Sequence, residues 1–430
     1  MVTVQEGSAR LSPFVGALRA DVEAALRPVL GLGDRDPVRL ECRGEALVVE
    51  AGGGHVELRG VSPSARRAGA PLSARLDALP RDSRRQVASA LRAVPPPALG
   101  RLAEALDRWW PYAGLDDSEF RQLASSPEGL HGMVRLGYRC NQDCWFCWQD
   151  RRGPAPPRAL VERWLDELAE LGVEEVHITG GEPTTWQELP DLVERAARLH
   201  GMRVVVQTNA VRLSRRSYAV RLADAGVIAL HVSLHAGTAD VSDRMTRAPG
   251  TWARTVEGVI NALSVGLRVT LNCVVEAENV DRLPEHARFV RDRIAGFAEA
   301  GRVARVTYSH PTGYHQDGLW AASQVPFDRV RGPLSRAVAI LREAGIPVEV
   351  GGSSGFALCV LDPDIVDARV RIVQRGTYEE GELDHRRFAK ACAACADRSS
   401  CFGLRQEYLD AFGESGLVPR IDGGPVGPAD

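Results

Sequence analysis

Cys140-Asn141-Gln142-Asp143-Cys144-Trp145-Phe146-Cys147 follows the short apolar run Met133–Tyr138. Its three thiols, separated by three and then two residues, lie on a loop that leaves an expected strand. One backbone turn at this spacing directs three thiolates at a single iron–sulfur cluster, for which cysteine thiolates are the usual ligands. A four-iron cluster has four corners, so three local ligands leave one iron open to a small molecule.

Outward from this loop the chain alternates strand and helix. Apolar strand runs fall at Met133–Tyr138, Glu175–Thr179, Met202–Thr208, Ile228–Leu234, Leu267–Val275 and Val303–Tyr308. Helical patterns lie between them, at Ala159–Leu171, Leu189–Leu199, Arg215–Ala225, Trp252–Val265, Leu283–Phe297 and Asp328–Ala344. Six such units in a row predict a parallel sheet with right-handed crossovers, of α/β class, curled into a partial (β/α)6 TIM-type barrel. In such barrels the chemistry sits on loops at the C-terminal ends of the strands, and the cysteine triplet follows the first strand.

Two further rim loops are polar. Thr179-Gly180-Gly181-Glu182-Pro183 follows the second strand, and its paired glycines would let a ligand approach the backbone. Glu182, or the carbonyls beside it, could receive a cationic amine. Gln207-Thr208-Asn209 follows the third strand, and Val232-Ser233-Leu234-His235 ends the fourth.

The triplet after strand one, together with Gly180-Gly181-Glu182-Pro183 after strand two, closely resembles the radical S-adenosylmethionine (SAM) superfamily over about Gly132–Val350. The resemblance implies that Cys140, Cys144 and Cys147 bind a 4Fe-4S cluster whose open iron chelates the amino and carboxylate groups of SAM. It implies that Phe146 packs beside the adenine, that Gly180, Gly181, Glu182 and Pro183 hold the methionine amine, and that Asn209 and Ser233 contact ribose or carboxylate. Ala210 departs from the pattern, because a glycine often follows the polar residue there. Arg244, in Asp243–Thr251, would meet the SAM carboxylate or else form a surface ion pair.

Beyond the barrel, Cys359 is followed by Cys392-Ala393-Ala394-Cys395 and by Cys401. Four thiolates suit structural zinc. They also resemble the single-cluster, Twitch- or SPASM-like C-terminal regions of radical SAM dehydrogenases and peptide maturases. That resemblance implies a second, auxiliary 4Fe-4S cluster, with zinc the alternative occupant. Cys42 and Cys273 read as inert buried thiols.

Period two puts His231, Ser233 and His235 on one strand face, and Tyr308 with His310 on another, followed by Tyr314 and His315. Tyr308 and His310 approach the rim and are the candidate catalytic pair. Residues 1–130 read as an α+β accessory region. Helix Leu18–Arg27 is ended by Pro28, a meander runs through Val38–Leu40, Ala46–Val49 and His55–Leu58, and helices follow at Arg84–Ala93 and Ala98–Trp109. The expected domains are 1–130, the barrel 131–350 and the cluster region 351–430.

With 430 residues, 44% hydrophobic and 25% charged, the chain is ordinary for a globular protein. A net charge of −3 argues against a nucleic-acid surface. Lys390 is the only lysine, which reads as codon bias. Neither a membrane span nor a secretory segment is expected, and the clustered cysteines suit a reducing cytoplasm. The expected function is reductive SAM cleavage to a 5′-deoxyadenosyl radical that oxidises or cross-links a ribosomally made peptide, with a flavodoxin or ferredoxin as electron donor. The alternatives are dehydrogenation of a small metabolite and a non-catalytic iron–sulfur electron carrier or redox sensor.

Overall fold

The computed structural model describes residues 13–33, 38–43, 46–51, 54–59, 61–62, 73–76, 81–93, 95–109, 121–126, 129–147, 155–297, 303–311, 324–350, 356–362, 370–371, 386–398, 401 and 403–421. Tyr314 and His315 lie outside them. The described chain falls into two compact units, one within residues 7–119 with 156–163, the other within 120–155 with 164–430.

The first unit packs helices on an antiparallel meander. Helix α1 (Pro13–Leu30) precedes strands β1 (Arg39–Arg43), β2 (Ala46–Ala51), β3 (Gly54–Arg59) and β4 (Ser73–Arg75), then helices α2 (Arg81–Ala93) and α3 (Pro96–Trp109). Leu47 pairs with Leu58 and Val49 with Val56. These alternate residues share one sheet face and pack with Val22, Leu26 and Leu30 of α1 and Leu102 and Leu106 of α3. Pro28 does not end α1 as its ring leads one to expect; it lies within the helix, whose last residues Val29 and Leu30 are fully buried in this core. That burial outweighs one lost backbone hydrogen bond.

The second unit is built on a nine-stranded sheet whose strands follow one another in chain order from edge to edge. The six expected strands are present as β6 (Gly129–Arg135), β7 (Glu175–Thr179), β8 (Arg203–Thr208), β9 (Val227–Ser233), β10 (Arg268–Val274) and β11 (Val303–Ser309), each parallel to the next. Short strands β12 (Val348–Val350) and β13 (Val370–Arg371) extend the parallel run, and β5 (Arg121–Ser126) caps the other edge antiparallel to β6. The crossover helices are α4 (Arg158–Glu170), α5 (Leu189–Glu194), α6 (Arg216–Ala225), α7 (Ala239–Thr246), α8 (Thr251–Ser264), α9 (Leu283–Phe289) and α10 (Phe327–Glu343). This is a partial TIM-type barrel. No helix among the described residues is long and apolar enough to cross a membrane.

The strands alternate in character along their length. Val176, Ile178, Val204, Val206, Val269, Leu271 and Val306 are buried under the helices. Their neighbours His177, Gln207, Thr270, Asn272, Arg305 and Thr307 line a cavity inside the sheet's curve. A flat, doubly covered parallel sheet would be apolar on both faces. The polar inner face is what keeps this barrel from filling.

One close approach fixes the third rim loop. Ala210 adopts a left-handed φ of 57°, and α8 runs beneath it with Gly258 facing its carbonyl. A Cβ at position 258 would stand 2.2 Å from the Ala210 oxygen. Gly258→Ala should therefore cost about 3 kcal/mol, read as a lowered urea midpoint at unchanged slope.

Candidate functional site

The cysteine loop is fastened on two sides. Leu136 N–H donates to Thr179 O at 2.8 Å, carrying β6 past the end of β7, and Gly137 at φ 115° turns the chain across the rim. Asp143 N–H then donates to Thr246 O at 2.8 Å, and Gln142 Nε2 to Thr251 Oγ1 at 3.1 Å, tying the loop to α7 and α8. Cys147 N–H donates to Cys144 O at 3.2 Å, closing the two-residue turn between those thiols. Gln142 N–H donates to the Cys140 sulfur at 3.4 Å. All three cysteines line a cavity of about 680 Å³ within the barrel, a size suited to a small-molecule ligand. Gly180, Gly181, Glu182, Asn209, Ser233, Phe146 and His310 line it too. Three half-exposed thiols on one tight loop fit a cluster held by three ligands.

The glycine loop packs directly against the backbone that leads into the cysteines. A Cβ on Gly181 would lie 2.3 Å from Tyr138 O and 2.4 Å from Arg139 O, so the missing side chain admits the backbone that leads into Cys140. Gly181 N–H and Glu182 N–H donate to Gly137 O and Arg139 O at 2.7 and 2.8 Å. Glu182 is 2% exposed and its carboxylate is already filled. Oε1 accepts from Thr184 N–H at 3.0 Å, Thr184 Oγ1 at 2.5 Å and Thr208 Oγ1 at 2.6 Å, while Oε2 accepts from Asn209 N–H at 2.7 Å. Burial raises its pKa, and the four donors oppose that shift. The side chain thus ties the second rim loop to the third. Pro183 is buried and opens the following 3-10 turn.

The remaining predicted residues divide. Phe146 meets His235 edge-on at 4.9 Å and packs on Ala236, Val241 and Met245. Asn209 Nδ2 donates to Asn141 Oδ1 at 2.7 Å, joining the third rim loop to the cysteine loop. Arg244 is not on the cavity; its Nε donates to Glu278 Oε1 at 2.6 Å on the surface. Tyr308 is not on the cavity either. It points to the helix layer, fully buried, with its hydroxyl 3.2 Å from His286 Nδ1 of α9. The expectation that Tyr308 and His310 share a face fails because the chain has left the strand by His310, which does line the cavity. Burial holds His310 and His235 down to about 3 and His231 to about 4, so all three are neutral imidazoles at pH 7. Cys273 faces the helices, while Asn272 and Val274 face the cavity.

The distal cysteines also meet. Cys359, Cys392, Cys395 and Cys401 line one small cavity with Phe388 and Leu404. Cys395 N–H donates to Cys392 O at 3.2 Å, repeating the turn between Cys144 and Cys147, and Gly403 N–H donates to the Cys401 sulfur at 3.3 Å. Burial pushes the Cys359 thiol up to about 11, with the other three cysteines adding to the shift. Four thiols lining one cavity are compatible with an auxiliary cluster or with zinc. Strand β14 (Arg386–Arg387) pairs antiparallel with β15 (Leu404–Arg405), which leads into α11 (Gln406–Phe412). Arg405 lines the barrel cavity. Tyr408 stacks on Phe327 at 4.0 Å, and its hydroxyl accepts from Phe327 N–H at 2.8 Å and donates to Ser415 O at 2.7 Å.

Sequence reasoning missed Glu276, just past β10. Its side chain is fully buried, and neither oxygen has a hydrogen-bond partner of good geometry among the described residues. Burial raises its pKa to about 7, against the pull of the Glu278 backbone and the Trp145 indole. Because the folded pKa exceeds the unfolded value of 4.5, stability should fall as pH rises from about 4.5 to 7 and level off above that. The loss is about 3 kcal/mol at most. Glu276→Gln should remove this dependence, checked by urea midpoints across that range.

Residues 134–290 match the family model of the radical SAM superfamily. The PqqA peptide cyclase of Rhodopseudomonas palustris is 32% identical over 180 residues, 41% of this chain and 46% of the relative. The mycofactocin maturase MftC of Mycolicibacterium smegmatis is 28% identical over 302 residues, 62% and 76% of the two chains. A probable GTP 3′,8-cyclase of Methanopyrus kandleri is 29% identical over 256 residues, 57% and 79%. The chain thus spans about half the length of the first relative and three quarters of the other two.

Proposed function

We propose that this chain, which carries a radical SAM domain over residues 134–290, cleaves SAM reductively and uses the resulting radical on a substrate held in its barrel. The observation that carries this reading is the meeting of Cys140, Cys144 and Cys147 with the Gly180–Glu182 loop on one cavity wall. These cysteines would hold a 4Fe-4S cluster that, with SAM bound, supplies a 5′-deoxyadenosyl radical. The chain's own work is to fix the ligand and keep water out. Carbonyls of the Gly180–Glu182 loop receive the amine, Phe146 flanks the adenine, Asn209 and Ser233 meet ribose or carboxylate, and neutral His310 stands by the substrate. Cys359, Cys392, Cys395 and Cys401 would hold a second cluster that relays electrons, and a flavodoxin or ferredoxin would supply the first.

The substrate we favour is a ribosomally made peptide, oxidised or cross-linked in the cytoplasm, with residues 1–130 as its recognition region, 131–350 as the catalytic barrel and 351–430 as the cluster region. Similarity to the PqqA peptide cyclase supports a peptide. Similarity to a GTP 3′,8-cyclase supports a second reading, a small metabolite. The protein, reconstituted anaerobically and reduced with dithionite, should convert SAM to 5′-deoxyadenosine. Absence of that product, with and without peptides encoded beside the gene, would refute the proposal. Mass spectrometry after co-expression with those genes separates the two substrate classes.

A further inference from the structure

A second group of donor side chains lies at the opposite end of the strands from the cysteine loop. His131 of β6 and Glu175 of β7 are register partners at the strand starts, and His177 follows one pleat along β7. Glu175 Oε1 is 3.4 Å from His131 Nδ1 and 2.9 Å from His177 Nε2, and the three ligand atoms all lie within 4.8 Å of one another. Ligands bonded at about 2.0–2.1 Å to a tetrahedral ion stand about 3.3 Å apart, so both spacings to Glu175 are within about half an ångström of a coordination sphere, and the two imidazoles are no more than 4.8 Å apart.

We propose that His131, Glu175 and His177 form a binding site for a divalent first-row metal, zinc in the first instance, at the N-terminal mouth of the barrel. Two imidazoles and one carboxylate are a donor set such ions accept, and three protein ligands leave a position open for water or a substrate oxygen. The surroundings suit ligation. Arg203 Nε, 3.4 Å from Oε2, occupies the other carboxylate oxygen and leaves Oε1 as the single ligand atom. Gln207 Nε2 lies 3.4 Å from His177 Nδ1, and that amide turned over would present its oxygen to the Nδ1 proton, committing Nε2 to the metal. Glu175 and His177 line the barrel cavity, so the open position faces the interior. Four residues of strand separate Glu175 from Thr179 at the rim, about 13 Å, which keeps this ion apart from the cluster.

The test uses full-length protein with its clusters reconstituted, incubated with zinc chloride and desalted. Zinc per chain is counted, and its ligands are read from the X-ray absorption fine structure. The expected result is about one zinc with a nitrogen and oxygen shell at about 2.0–2.1 Å. Retention should be lost in Glu175→Gln and in His177→Ala, with iron content and melting temperature as controls on folding. Gln207→Ala, which removes no ligand, should weaken zinc binding about 10- to 100-fold. A sulfur shell at about 2.3 Å would place the zinc on the cysteines and overturn the proposal. Retention unchanged in the variants, or no retained zinc in the parent protein, would also overturn it. The outcome is independent of whether SAM is cleaved.

Discussion

Protein in which Cys140, Cys144 and Cys147 are all alanine should reconstitute with about four iron atoms per chain rather than about eight, and should make no 5′-deoxyadenosine. Among the described residues these are the only thiols on the barrel cavity, and Cys273, the one other cysteine in the barrel strands, is sealed on the helix side. No nearby sulfur can substitute. The four distal cysteines line a separate cavity, so iron held there under the proposed function should survive, and the converse quadruple variant should lose the other half. Iron and sulfide analysis reads both. Unchanged iron in the triple variant would mean that the rim loop holds no cluster.

Gly181→Ala should be nearly as damaging, although it removes no ligand. The new Cβ would stand 2.3 Å from Tyr138 O, and real Cβ atoms keep at least 3.0 Å, so the two loops must part by at least 0.7 Å. Both sides of the clash are backbone, and the strand exit is held there by the Gly181 and Glu182 N–H bonds. Parting breaks them and draws the Glu182 carboxylate from its four donors. We expect a loss of about 1–3 kcal/mol in stability, since a buried carboxyl group loses its hydrogen-bond donors. Deoxyadenosine formation should fall about 100-fold, as expected when reacting groups shift by about an ångström. Gly180→Ala is the internal control. Its Cβ meets Gly137 O at 3.1 Å, which a few tenths of adjustment relieves, and its effect should be several-fold smaller. Equal effects at the two glycines would refute this account.

The contrast between those glycines shows where sequence reading ran out. Gly180 and Gly181 looked equivalent, because which one faces a neighbouring backbone depends on how two loops dock. The six parallel strands were legible from their spacing and their apolar runs. Strands β12 and β13, of three and two residues, were too short to show a period, and they exist because a neighbouring edge recruits them. Period two correctly grouped His231, Ser233 and His235 but misplaced Tyr308, since the alternation stops where the strand does. The site at the barrel mouth was hidden for a different reason. His131 and Glu175 are 44 positions apart, and only the register of β6 on β7 makes them neighbours.

The docking of Tyr408 and Arg405 bears on how freely such proteins can be recombined. Tyr408 accepts the first N–H of α10 through its hydroxyl, while Arg405 supplies part of the barrel's inner wall. A chimera that exchanged everything after β12 for another tail would therefore leave an unsatisfied amide at the head of a helix and a gap in the wall. The barrel and its tail are interlocked parts, and shuffling between relatives should succeed only when α10 travels with the tail that caps it.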